Sequence, residues 1–146
     1  MARELPYTYA MLQETLRLCL SVPKDVKVAV ADDVLPDGTA VAAGSVVAYL
    51  PHAMGRYEAN WEAAETYDPG RFMDGKKHSP FRFIAFNAGP RTCLGQNMAL
   101  LEASLVLPLV YRRYRVEVVA GQTVTYANSL TLPMLEGIRA ALVPRA

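Results

Sequence analysis

Hydrophobic positions follow different periods in different parts of this 146-residue chain. Between about Pro6 and Cys19, the residues Tyr9, Leu12, Leu16 and Cys19 recur at three- and four-residue intervals, which predicts a helix with one apolar stripe. Pro6 suits the first turn, where its missing N–H is not needed, and Pro23 disfavours helix beyond residue 22. From residue 26 to residue 50 the period drops to that of a strand. Val26, Val28 and Val30 alternate with polar or small residues, and Val41 and residues 46–49 carry the extended region past Gly44. Pro36-Asp37-Gly38 reads as a turn, combining a fixed φ, a side-chain acceptor and a residue free to take positive φ. Residues 51–85 hold no sustained period. Pro51, Gly55, Pro69, Gly70, Gly75 and Pro80 break them into loops, with room for a short helix around Asn60–Glu65. Leu94, Met98, Leu101, Leu105 and Leu109 then form the stripe of a second long helix, about Leu94 to Arg112. A kink is expected at Pro108, which withdraws the amide that would bond the Ser104 carbonyl. Past residue 115, Val116–Val119, Thr123–Tyr126 and Ile138–Val143 read as short strands, with turns at Gly121 and Gly137. The expected fold class is mainly α with small β-sheets (α+β), in a single domain over residues 1–146.

Composition narrows the classes. With 52% hydrophobic and 20% charged residues the chain suits a globular domain, and one of this length buries roughly 68–70% of its unfolded surface. A net charge of +1 gives no electrostatic case for nucleic acid. The two cysteines, Cys19 and Cys93, form no C-x-x-C pair, and the two histidines, His52 and His78, lie far apart, so neither a structural zinc site nor a disulfide framework is supported. Reduced, intracellular surroundings fit this usage. No run of apolar residues is long enough to span a membrane. Met1-Ala2-Arg3-Glu4 leads into the first helical pattern without an apolar core, so no signal peptide is expected.

The chemistry concentrates in Phe86-Asn87-Ala88-Gly89-Pro90-Arg91-Thr92-Cys93-Leu94-Gly95. Cys93 stands between two glycines, two residues after an arginine, at the expected mouth of the second helix. Unpaired amides and the positive end of a helix dipole both favour a thiolate there. Gly89 and Gly95 let the backbone come close to something flat. A lone cysteine in a turn is otherwise a buried small hydrophobe. The spacing Phe-x-x-Gly-x-Arg-x-Cys-x-Gly resembles the haem-binding loop of the cytochromes P450, with every fixed position matched. The resemblance implies that Cys93 is the axial thiolate of the iron of haem b (Fe-protoporphyrin IX), that Phe86 shields the sulfur side of the haem, and that Arg91 pairs with a haem propionate. Gly89 and Gly95 complete the cofactor loop.

A second motif supports the first. Glu14 and Arg17 lie three apart on the first helix, where an exposed pair contributes about 0.2–0.5 kcal/mol. Gln13-Glu14-Thr15-Leu16-Arg17-Leu18 also resembles the family's Glu-x-x-Arg motif, which implies a buried pair joined by a third residue. Tyr67-Asp68-Pro69-Gly70-Arg71-Phe72 resembles the family's Pro-Glu-Arg-Phe pattern and supplies Arg71; Gly70 replaces the usual glutamate, which loosens the expected loop. The implied role of Glu14, Arg17 and Arg71 is to pin the loop that carries Cys93.

The resemblance covers essentially the whole chain and is closest in look to the fatty-acid ω-hydroxylase members, through Leu35-Pro36-Asp37-Gly38-Thr39, Ala53-Met54-Gly55-Arg56 and Phe83-Ile84-Ala85-Phe86. It implies that residues 21–28 border the substrate pocket, with Val22 and Pro23 as substrate contacts. Lys24 either replaces a propionate-binding arginine or is a solvated lysine. Leu20 stands where related sequences often carry proline.

Full family members are several times longer and carry a central acid–threonine helix that delivers protons to bound dioxygen. No such helix fits before residue 5, nor does a membrane anchor, so the chain is expected to be the C-terminal third of such an enzyme, a partial haem-binding domain without catalytic proton-relay residues. The implied whole protein is a haem-thiolate monooxygenase. It hydroxylates a hydrophobic small molecule such as a fatty acid, using O2 and electrons from an NADPH-dependent reductase at the cytoplasmic face of the endoplasmic reticulum. Membrane association would come only through the missing N-terminal region. The alternative is a catalytically incompetent truncated haem-binding product. Arg112, Arg113 and Arg115 are either a reductase contact or a solvated basic helix end.

Overall fold

The computed structural model describes residues 5–73, 77–127 and 129–145. The expectations placed on Met1-Ala2-Arg3-Glu4 and on Gly75 lie outside the described residues. Pro6 opens helix α1, Pro6–Leu18, whose last turn is closed by the Cys19 amide donating to the Thr15 carbonyl at 2.6 Å. Strands β1 (Asp25–Val28), β2 (Asp33–Val34), β3 (Ala40–Val41) and β4 (Val46–Tyr49) follow, then a one-turn helix α2 (Pro51–Met54). Two 3-10 turns, Pro69–Phe72 and Gly89–Arg91, precede helix α3 (Gln96–Arg113). Strands β5 (Tyr114–Val118) and β6 (Ala140–Pro144) close the chain.

The strands form three separate two-stranded antiparallel ladders. In β1–β4, Asp25 faces Tyr49 and Val28 faces Val46; in β2–β3, Asp33 faces Val41; in β5–β6, Tyr114 faces Pro144 and Val118 faces Ala140. The expected Thr123–Tyr126 strand is reduced to one bridge, Tyr126 to Met134. The alternation of Val26, Val28 and Val30 does not mark a buried face, because all three are exposed: no second layer covers β1 among the described residues.

The core is small and aromatic. Trp61, Ala64 and Phe72 gather on Ala10 of α1, with Phe83 against them. The Phe72 and Phe83 rings meet at 5.2 Å and those of Phe72 and His78 at 4.9 Å, both edge-on, the arrangement that ring quadrupoles favour. The short helix expected at Asn60–Glu65 is instead a series of turns. Ala63 takes a positive φ of 46°, which breaks a helix, and its carbonyl is thereby turned toward Arg71.

Both long helices bury a different face from the one their apolar period suggested. On α1 the buried positions are Ala10, Glu14, Arg17 and Leu18, while Cys19 is exposed. A buried ion pair takes the deepest place on that helix, and hydrophobicity cannot register it. On α3 the stripe Leu94, Met98, Leu101, Leu105 and Leu109 is exposed, and Ser104 is the buried residue. That helix is apolar on more than one side, so its period alone does not say which side turns inward. It runs without interruption through Pro108 to Arg113. No helix among the described residues is long and apolar enough to cross a membrane.

Candidate functional site

The loop from Phe86 to Gly95 is built by local hydrogen bonds. Gly89 takes a φ of 66°, which an L-residue rarely adopts, and starts the 3-10 turn. The Thr92 amide (3.1 Å) and hydroxyl (2.8 Å) both donate to the Gly89 carbonyl. The Cys93 amide donates back to the Phe86 carbonyl at 2.8 Å, closing the loop on itself. Gly95 is the N-cap of α3, so Cys93 lies just outside the helix, with its own carbonyl accepting from Gln96 at 3.3 Å. The cysteine is free and exposed.

Cys93 borders a cavity of about 410 Å3 beneath α1 and β4. Phe86, Leu16, Leu20 and Val22 give it apolar walls, and Lys24 and Arg91 bring two cations to the same space. Pro23 is not on this wall; its carbonyl instead accepts the His52 amide at 3.3 Å. Leu130, which sequence reasoning missed, closes the cavity from the far end of the chain, where the Leu132 amide reaches the Ser21 carbonyl at 2.8 Å. Nothing local to residue 130 signals that contact. A larger cavity of about 710 Å3 lies on the other side of the loop and shares Phe86 and Asn87, but Cys93, Lys24 and Arg91 do not line it. Cys93, Lys24 and Arg91 therefore share the smaller space.

Glu14, Arg17 and Arg71 come together between α1 and the turns at residues 63–71. Glu14 is fully buried, and Arg17 is 2% exposed. The pair is bidentate, with Arg17 Nε on Oε2 and Nη2 on Oε1, each at 2.7 Å. Arg17 also donates to the carbonyls of Gly55, Ala64 and Thr66, so its five N–H donors meet five acceptors. Arg71 Nε stands 3.4 Å from Glu14 Oε1, an ion pair without a hydrogen bond, while its Nη2 donates to the Ala63 carbonyl at 3.0 Å. Glu14 Oε1 further accepts the Asp68 amide at 2.8 Å. At Gly70 the amide donates to the Asp68 carboxylate at 2.8 Å, and a Cβ would crowd that oxygen. The Asp68 cap ties this turn at its start. Gly55 is similarly constrained: an added Cβ would overlap the Arg17 carbonyl oxygen.

Other electrostatic features are local. Asp25 is pulled down to about 2, first by the Tyr49 hydroxyl and then by Lys27. His52 is lowered by burial and by Arg56 beside it. Arg115 pairs with Glu117 at 2.5 Å. No group of three or more potential metal-ligating side chains occurs among the described residues.

A family model described as Cytochrome P450 matches residues 1–136. Cytochrome P450 704B1 of Arabidopsis thaliana is 40% identical over 147 aligned positions, which cover 98% of this chain and 28% of that protein. Alkane hydroxylase MAH1 of Arabidopsis thaliana is 36% identical over 147 positions, covering 97% of this chain and 30% of that one. Among solved structures, the crystal structure of the cytochrome P450DA heme domain superposes with a TM-score of 0.85 at 26% identity, over 95% of this chain and 31% of that chain. The chain thus spans less than a third of the length of each of these three proteins.

Proposed function

The chain belongs to the cytochrome P450 family, and from that premise we propose that it forms the proximal haem-binding part of a monooxygenase, with Cys93 as the thiolate ligand. One observation carries the reading: Cys93, Phe86, Lys24 and Arg91 face one cavity. The donor set fits haem. A single thiol serves the iron, apolar side chains serve the porphyrin plane, and two cations serve its two carboxylates. Haem, when bound, supplies dioxygen activation and C–H hydroxylation; the protein supplies binding and orientation. With haem bound, Phe86 would pack on the sulfur side of the porphyrin and shield it from water. Arg91 and Lys24 hold the carboxylates, and their charge offsets the dianion. Gly89 and Gly95 keep side chains out of the porphyrin's approach, and the Cys93 amide bond to Phe86 fixes where the sulfur points. Glu14, Arg17 and Arg71 hold the 63–71 turns on α1. Val22 contributes to the substrate wall and Pro23 shapes the backbone beside it.

The substrate class is hydrophobic, of the fatty-acid or alkane kind, a reading supported by the similarity to an alkane hydroxylase. Since the chain corresponds to less than a third of its relatives, dioxygen chemistry belongs to a larger assembly, fed by an NADPH-dependent reductase at the endoplasmic reticulum membrane. Arg112 and Arg113 are the basic residues left for a reductase surface, Arg115 being paired with Glu117. A second reading is a haem-binding product without turnover, which uses the same cysteine loop and cavity. Both readings require haem at Cys93. Titrating the chain with haem, reducing it and adding carbon monoxide should give a red-shifted Soret band that Cys93→Ser abolishes. Absence of that band in the wild-type chain would refute both.

A further inference from the structure

Asp25, Tyr49 and Asn87 form a hydrogen-bonded cluster at the start of the cysteine loop. Asp25, at the start of β1, uses one oxygen, Oδ2, as a hub. Tyr49 Oη lies 2.6 Å from it, Asn87 Nδ2 donates at 2.7 Å and Lys27 Nζ at 2.9 Å. The other oxygen accepts the Val26 amide at 2.7 Å. Asp25 and Tyr49 are register partners across the β1–β4 ladder, so the sheet sets their separation. Asn87 comes from the loop, 62 residues away from Asp25. Tyr49 Oη also approaches Asn87 Oδ1 at 2.9 Å. The hydroxyl has one proton, and the shorter, charge-assisted contact to Asp25 takes it.

Asn87 is held in an unusual backbone state. Its φ is 65°, and among the described residues only Ala63 shares a positive φ without being glycine. Asparagine tolerates this region because its short side chain bonds locally, and here Oδ1 accepts the Ala88 amide at 2.9 Å. The side chain therefore ties the turn to itself at one end and to the sheet at the other. The residue before Asn87 is Phe86, whose carbonyl holds the Cys93 amide. All three side chains also border the cavity that Cys93 lines.

We propose that Asp25, Tyr49 and Asn87 are positioning residues that fix the start of the cysteine loop and thereby the direction in which Cys93 faces the cavity. In its bearing on haem this inference rests on the function proposed above. Cys93 itself is exposed, and the hydrogen bond from its amide to the Phe86 carbonyl is internal to the loop, so it cannot place the loop on the rest of the chain. The cluster supplies that placement.

The test separates the two claims. Amide hydrogen exchange is followed on the full chain without haem, in the wild type and in Asp25→Asn, Tyr49→Phe and Asn87→Ala. Exchange at Cys93 should speed up about tenfold in Asp25→Asn and Asn87→Ala, the effect of losing a hydrogen bond to a charged group, with amides in α1 unchanged. The increase in Tyr49→Phe should be smaller. Unchanged exchange at Cys93, or an increase shared equally by α1, overturns the positioning role. In the same chains loaded with haem, transfer of haem to an excess of apomyoglobin should accelerate in the same order. If exchange responds as expected but the wild type never gives the red-shifted carbon monoxide band, the haem reading fails while the local role stands.

Discussion

The Glu14–Arg17 knot and the Cys93 loop are both motif regions, yet they stand in opposite environments. At the knot every guanidinium donor of Arg17 has an acceptor, and both partners are sealed under Trp61 and the turns at 63–68. At the loop the thiol is exposed, the neighbouring α3 stripe faces solvent, and Lys24 and Arg91 share the cavity that Cys93 borders. The first region is closed by hydrogen bonds among its own residues; the second opens on a cavity.

Substitution at the knot should have the largest effect. Glu14→Ala leaves Arg17 buried and uncompensated, a loss of about 3–5 kcal/mol, read as a lowered midpoint in chemical denaturation together with loss of haem uptake. Wild-type haem occupancy in that variant would break the contrast between the two regions. Gly55→Ala forces a methyl group onto the Arg17 carbonyl and should cost about 1–3 kcal/mol by the same measurement, with Arg56→Ala as a nearby control of small effect.

The Asp25 cluster, which borders the Cys93 cavity, gives a pH signature. The folded-state carboxyl is lowered from 3.8 to about 2. Its stabilising share is therefore complete above the unfolded value and is lost as pH falls toward about 2. Denaturation midpoints followed between about pH 5 and pH 2 should fall more steeply in the wild type than in Asp25→Asn; parallel curves would remove Asp25 from the account. The smallest effect belongs to the exposed face of α3. Leu101→Lys and Leu105→Lys should change stability by no more than about 0.5 kcal/mol while reducing self-association seen in sedimentation. A large destabilisation would mean that this face is already covered.

The parts legible in the sequence are those set by short spacings. The i,i+3 pair of Glu14 and Arg17, the Pro6 start of α1 and the glycine-flanked Cys93 loop each announce themselves within ten residues. Arg71 is separated from Glu14 by most of the meander of turns and was reachable only through the resemblance. The Asp25–Tyr49–Asn87 cluster was not legible, because it needs the β1–β4 register to bring two of its members together and a distant loop to supply the third. The inward faces of α1 and α3 were misread for a related reason. Hydrophobic period assumes that apolar means inside, whereas α1 buries an ion pair and α3 exposes leucines that a larger assembly would cover.

Iron K-edge X-ray absorption on the haem-loaded chain tests the proposed ligation of haem iron by the Cys93 sulfur most directly. The wild type should show one sulfur in the first coordination shell, and Cys93→Ser should show none. A sulfur shell that survives in Cys93→Ser, supplied by the only other cysteine, Cys19, or a wild-type shell of nitrogen and oxygen alone, would contradict it.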